Sequence, residues 1–249
     1  MFDVLQELLK SLTDEEVEVA ARSSYKYLLM SISKDESKKP PPELREDIAL
    51  NMIKRHLIQA KGDKVKALKQ IKSTIQFRQD MNADAMRLCH YNLESGNAEY
   101  EKLRNVLDKE LETPVWQIRG KDRKNRTPVN AIVAFKNDGR FDPVEYVRIH
   151  MYFIERALAC GERLRNSTDD DTFSVYTDCS GFFPGCAPPL GVSRGILNLM
   201  ALHYPERLQA HYLVDTPVIF RVFWKIIKPF IDPKTKNKFI FVTGEVCFV

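Results

Sequence analysis

"TPVIFRVFWKIIKPFIDPKTKNKFIFV", residues 216–242, decides how this chain is read. Between Val218 and Ile231 nearly every residue is aliphatic or aromatic, and the exceptions are Arg221, Lys225, Lys228 and Pro229. Folded as a helix, the stretch puts its three cations on one face, at i, i+4 and i+7. The remaining circumference carries Phe220, Phe223, Trp224, Ile227 and their apolar neighbours. Such a helix is either buried all round, or it packs one side on the protein and meets lipid with the other. A cationic stripe suits anionic headgroups, and Trp224 suits a membrane interface. A polar turn, "DPKTKNK", then leads into a new apolar run, "FIFV".

The rest of the chain supplies the setting. Its 249 residues are 44% hydrophobic and 29% charged, which is enough apolar material for a real core. The net charge of +4 is too small for a broadly basic nucleic-acid binder, and no nucleic-acid partner is expected. The five cysteines show no C-x-x-C spacing, and their odd number points to reduced thiols in a cytoplasmic setting. The start, "MFDVLQELLKSLTDEEVEV", is too acidic and interrupted for a secretion signal. No run reaches the roughly 18 apolar residues of a membrane span. The expectation is a soluble protein with peripheral membrane contact.

Residues 1–42 read as a helical extension ending in a Pro-rich linker, since Pro40 to Pro42 cannot sit inside a helix. Thr13 and Glu16 form a capping box. Residues 43–111 read as a helical subdomain, with apolar positions at Ile48, Met52, Ile53, Val65, Leu68, Ile71, Ile75 and Phe77 and a turn at Gly62. After Thr113 the texture changes to short β-type runs alternating with helices. "PVWQIRG" and "VNAIVAF" are strands. A long helix starts at "DPVEYVRIH", with Asp142 as its cap and Pro143 in its first turn. "TFSVYTD", "AHYLVDTP" and "KFIFVTG" are strands, "GVSRGILNLMALHYPERL" is mainly helix, and Val218 to Pro229 is a helix. Strands alternating with helices predict an α/β fold with a mainly parallel sheet over residues 113–249.

Several motifs are weighed against simpler readings. "GVSRG" matches the G-x-S-x-G nucleophile elbow, which needs a strand before it; Pro188 and Pro189 do not make one. A serine hydrolase at Ser193 is kept as an alternative. The histidines His56, His90, His150, His203 and His211 show no metal spacing and read as scattered surface or core residues. No phosphate loop and no dinucleotide fingerprint is present. Asp178 and Asp215 end strands, where α/β ligand sites gather, but neither has a partner base. The cations of "GKDRKNR" read as a solvated turn or as a phosphate or membrane contact.

The segment "HYPERLQAHYLVDTPVIFRVFWKIIKPFIDPKTKNKFIF" resembles the signature of the CRAL-TRIO lipid-binding family, and particularly its branch of phosphatidylinositol transfer proteins. "DRKNRTPV" is similar to the family's D-x-x-G-R-P-V, "SVYTDCSGF" to its strand ending in D-x-x-G, and "RHLIQAKGDKVKA" to its N-terminal helical motif. The resemblance covers roughly residues 45–244. It implies an N-terminal helical subdomain followed by a mixed, mainly parallel sheet flanked by helices, with one lipid in an apolar pocket. The helix 218–231 would be the pocket's gate, with Phe173, Val175, Phe220, Phe223, Trp224 and Ile227 lining pocket or gate. Arg221, Lys225 and Lys228 would contact the membrane.

In that branch the headgroup site falls, by resemblance, on Lys61, Glu206, Thr235 and Lys238. Lys61 stands where Arg is usual, and a point charge grips phosphate less directionally than a planar fork. Phe173 and Val175 replace the Ser and Thr of members that also exchange phosphatidylcholine, so exchange of that lipid is not expected. The chain stops at "TGEVCFV", before the branch's usual closing section, so either it is a fragment or its pocket ends differently. The resemblance implies a non-enzymatic carrier of phosphatidylinositol, without cofactor or metal, that transfers the lipid or presents it to lipid kinases. The alternative is a carrier or sensor of a smaller lipophile, tocopherol- or retinoid-like.

Overall fold

Helix α1 (Phe2–Lys10) leads into α2 (Asp14–Ala21), whose start is fixed by the predicted box. The Glu16 amide donates to the Thr13 hydroxyl at 3.2 Å and the Thr13 amide donates to the Glu16 carboxylate at 2.8 Å. This computed structural model describes residues 2–91, 96–112, 116–121, 128–132, 143–164, 172–186 and 189–244. Two compact units emerge: residues 1–93 with 202–206, and residues 94–201 with 207–249.

In the first unit, α3 (Tyr25–Ser31), α4 (Pro42–Gln59), α5 (Lys64–Asp80) and α6 (Ala83–Leu88) follow α2. Pro42 opens α4 at the position where a missing N–H costs nothing. Leu5, Leu8 and Leu9 of α1 pack with Met52, Ile53 and Leu57 of α4 and with Ile71 and Ile75 of α5. Between α4 and α5, Lys61 and Gly62 both take left-handed backbone, at φ 56° and 84°. Val65, expected on the apolar stripe, is 82% exposed. The stripe of α5 instead runs through Ala67, Ile71, Thr74, Ile75 and Arg78, because the 3.6-residue period through Ile71 passes Ala67 and leaves Val65 outside. Phe77 stacks flat on His203, with centroids 4.0 Å apart, and the Thr74 hydroxyl lies 3.1 Å from both His203 Nδ1 and the Leu202 carbonyl.

The second unit carries α7 (Ala98–Leu111), β1 (Trp116–Lys121), β2 (Pro128–Ile132), α8 (Pro143–Leu164), β3 (Phe173–Asp178), α9 (Leu190–His203, its last two residues in the first unit) and β4 (Leu208–Val214). It ends with α10 (Val218–Ile227), α11 (Pro233–Lys236) and β5 (Phe239–Val242). The sheet order is β1-β2-β3-β4-β5, antiparallel between β1 and β2 and parallel elsewhere. This is the mainly parallel α/β sheet that alternating strands and helices predict. Helix α8 packs against β1, β2 and β3. Among the described residues no helix is long and apolar enough to cross a membrane.

The α-helical part of the opening stretch is shorter than expected. It ends at Ile227, and Lys228–Phe230 form a 3-10 turn. Pro229 has no N–H for the ladder and its ring crowds the preceding turn, so the α-helix stops before it. The predicted cap at Asp142, the cationic turn 122–126 and Cys247 lie outside the described residues.

Candidate functional site

Cross-strand register sets the site. Val175, His211 and Phe239 form one row across β3, β4 and β5, and Thr177, Leu213 and Phe241 form the next. Directly paired residues, and residues two apart on a strand, share a face. This face meets α10. Trp224 lies 4.7 Å from Phe239 and 5.6 Å from Phe241 between ring centroids, and Leu213 packs in one cluster with Phe220. Phe182, in the loop after β3, stands edge-on to Phe220 at 5.0 Å and tilted against Phe223 at 5.4 Å.

Helix α10 therefore has two faces. Phe220 and Ile227 are buried and Phe223 and Trp224 half-buried, spaced at i, i+3, i+4 and i+7. The opposite side leaves Val218 at 79%, Val222 at 55% and Ile226 at 49% exposure, with Arg221, Lys225 and Lys228 exposed among them. Of the two readings left open by the sequence, full burial is thus excluded. Past the helix end, the Arg194 guanidinium of α9 sits 4.3 Å over the Phe230 ring. Phe173 is buried and Val175 half-buried on β3.

The four candidate headgroup residues divide between the units. Lys61, exposed, and Glu206, half-buried, belong to the first; Thr235 and Lys238 belong to the second. Lys61 and Glu206 are two of the four described non-glycine residues with left-handed backbone, at φ 56° and 60°. Such conformations are costly and persist where the surroundings enforce them. Thr235 and Lys238 are brought together by one turn. The Asp232 carboxylate accepts from the Thr235 amide at 2.9 Å, the Lys238 amide donates to the Thr235 carbonyl at 3.0 Å, and the Lys238 ammonium donates to the Leu208 carbonyl. Burial would raise the Asp232 pKa, but its hydrogen bonds with Thr235 and Lys234 and the charge of Lys238 outweigh that and lower it. Removing this cap in Asp232→Ala is expected to cost about 1 kcal/mol in urea unfolding and to loosen the Thr235 turn.

Other candidates have structural explanations. Asp215 takes φ 49°, a conformation Asp tolerates better than most residues, and its carboxylate accepts from the Gly244 amide at 2.9 Å, tying the end of β5 to the end of β4. Asp178 accepts from the Ser180 amide and hydroxyl at 2.9 and 2.7 Å. Ser193 lies in the first turn of α9, where its amide donates to the Pro189 carbonyl at 3.0 Å, so it does not stand on a strand-to-helix elbow. Burial pushes the Cys179 thiol up to about 12, away from thiolate chemistry.

One feature of the face escaped the sequence reading. Of the surface and core readings of the histidines, His211 follows the core one, half-buried on this face: its Nε2 lies 2.9 Å from the Thr177 hydroxyl and its ring stacks on Phe239 at 4.7 Å. Burial holds its pKa down at about 4, so it is neutral at physiological pH. The usable signal was its alternation with Leu213 on β4.

The family model described as the CRAL/TRIO domain matches residues 112–246. The phosphatidylinositol transfer protein PDR17 of Saccharomyces cerevisiae is 44% identical over 69 residues, covering 28% of this chain and 19% of that protein. The phosphatidylinositol transfer protein SFH5 of the same organism is 35% identical over 51 residues, 20% of this chain and 17% of that protein. The matched stretch thus spans under a fifth of each of these two relatives. The crystal structure of Sfh5 superposes with a TM-score of 0.63 at 19% identity, over 96% of this chain and 80% of that chain, a likeness of fold.

Proposed function

The chain belongs to the CRAL/TRIO domain family, and from that membership we propose that it binds a single phospholipid, phosphatidylinositol, between the β3–β5 face and α10, and transfers or presents it at membranes. The observation that carries this reading is the two-faced α10. Its inner, largely aromatic stripe closes over a mostly apolar sheet face, while its outer face exposes aliphatic side chains beside Arg221 and Lys225, with Lys228 just past its end.

The energetics favour such a carrier. Each acyl CH₂ left in water costs about 0.8 kcal/mol, so a diacyl lipid leaves the bilayer only for a nearly complete apolar substitute. On an anionic surface, Arg221, Lys225 and Lys228 would each contribute about 1 kcal/mol to holding α10 there. The Thr235–Lys238 turn offers a hydroxyl and a cation to the phosphodiester, and Lys61 and Glu206 are proposed as further headgroup residues. Lipid kinases are proposed recipients, and a cytoplasmic setting with peripheral membrane contact is proposed for the activity.

The test is phosphatidylinositol transfer between vesicles. A Thr235→Ala, Lys238→Ala double variant is expected to lose transfer about ten- to a hundredfold, the worth of a charge-assisted hydrogen bond, with its circular dichroism unchanged. Wild-type rates in a folded double variant would remove the headgroup assignment. A second reading, a smaller lipophile in the same place, is favoured by Phe173 and Val175, which offer that region no hydrogen bond.

A further inference from the structure

Within the face under α10, the Thr177 hydroxyl and the His211 imidazole bring a hydrogen-bonding pair into a surface otherwise made by Val175, Leu213, Phe239 and Phe241. A buried polar pair in apolar surroundings costs free energy unless its capacity is used. His211 is not sealed into a core. Its surroundings are dry enough to keep the ring neutral, and the residue as a whole is half-buried. A half-buried residue on this face is one that a lipid entering beneath α10 would meet. With Nε2 engaged by Thr177, Nδ1 is the ring atom that a ligand would meet.

We infer that His211, oriented by Thr177, is the subsite for an uncharged oxygen of the bound lipid, namely an acyl ester carbonyl of its glycerol backbone. The inference rests on the phospholipid reading above and adds to it where the ester region lies. Charge argues for this assignment, because a neutral imidazole gives a phosphate no ion pair, whereas an ester carbonyl needs one neutral donor and no more.

Register supports it as well. Lys238, of the proposed phosphate site, reaches the Leu208 carbonyl, and its own carbonyl accepts from the His211 amide at 2.8 Å. Leu208 and His211 are three residues apart along β4, on the order of 10 Å. That is the span of a phosphoglycerol unit with a hydrogen bond at each end. The acceptor also selects the tautomer: Thr177 donates its hydroxyl proton to Nε2, and Nδ1–H donates to the carbonyl. Thr177 is thus a positioning residue and His211 the contact.

The experiment compares equilibrium binding of diacyl phosphatidylinositol with that of its dialkyl ether analogue, which lacks the carbonyls. The wild-type protein is expected to prefer the ester about five- to tenfold, the worth of one neutral hydrogen bond. His211→Phe, which keeps a ring beside Phe239, is expected to bring the ratio to about one, and Thr177→Val to reduce it. Equal wild-type binding of both lipids overturns the subsite and leaves the phospholipid reading standing. Binding of neither lipid removes both. A full ester preference retained in His211→Phe places the carbonyl contact elsewhere and overturns the assignment. The wild-type ratio needs no variant, so the test holds even if a substitution fails to fold.

Discussion

Between pH 7 and pH 4.5 the unfolding free energy is expected to fall by about 4 kcal/mol through three histidines alone. His150, His203 and His211 are each lowered by burial to about 4, with a hydrogen bond to the Tyr146 carbonyl partly opposing the shift at His150. An unfolded histidine titrates near 6.5. As the pH drops below 6.5 the unfolded chain takes up protons that the native state refuses, so the native state loses ground. The contribution is complete above the unfolded value and is lost progressively down to about 4. Full protonation mismatch would be worth about 3 kcal/mol per group, but all three residues are half-buried, and solvent relaxes part of that cost. Domains of this kind hold only about 5–15 kcal/mol in all, so the loss is large. Urea midpoints measured from pH 7 to 4.5 check it, and a flat profile across that window contradicts it.

Phe220→Ala is expected to destabilise the protein by about 3–5 kcal/mol, the range for emptying a buried aromatic site. Phe220 is 4% exposed and joins α10 to Phe182 and Leu213, so its loss undoes the anchor of the helix. The contrast is Val222, 55% exposed on the other side of the same helix. Val222→Asp is expected to change stability by no more than about 0.5 kcal/mol while weakening binding to anionic vesicles. Thermal melts and vesicle co-sedimentation separate the two. Equal effects of both variants on stability would mean that α10 is not two-faced.

Much of this architecture was legible in the sequence because it follows from period and punctuation. The apolar spacing of Phe220, Phe223, Trp224 and Ile227 places one stripe on the protein, and the alternation of strands and helices announces the parallel sheet. Thr13 and Glu16 announce their cap. Three things were not legible. Val65 is apolar and near the right spacing, yet the phase of α5 is set by Ile71 and Ile75 packing against α1 and α4, which local pattern does not contain. Asp215 reads only as a strand end, and its strap to Gly244 depends on two strands being side by side. His211 shows no motif beyond its alternation with Leu213; its surroundings come from Thr177 and Phe239 on the flanking strands, both tertiary facts. For the candidate headgroup site, the proximity of Thr235 and Lys238 is local and could be read, whereas Lys61 and Glu206 come from distant chain segments and enter through family resemblance.

The most direct test is native mass spectrometry of the purified protein after incubation with mixed liposomes, followed by identification of the extracted ligand. One phosphatidylinositol per chain is the predicted result. A bound sterol-like or prenyl lipophile, or a protein that emerges empty, would contradict the account.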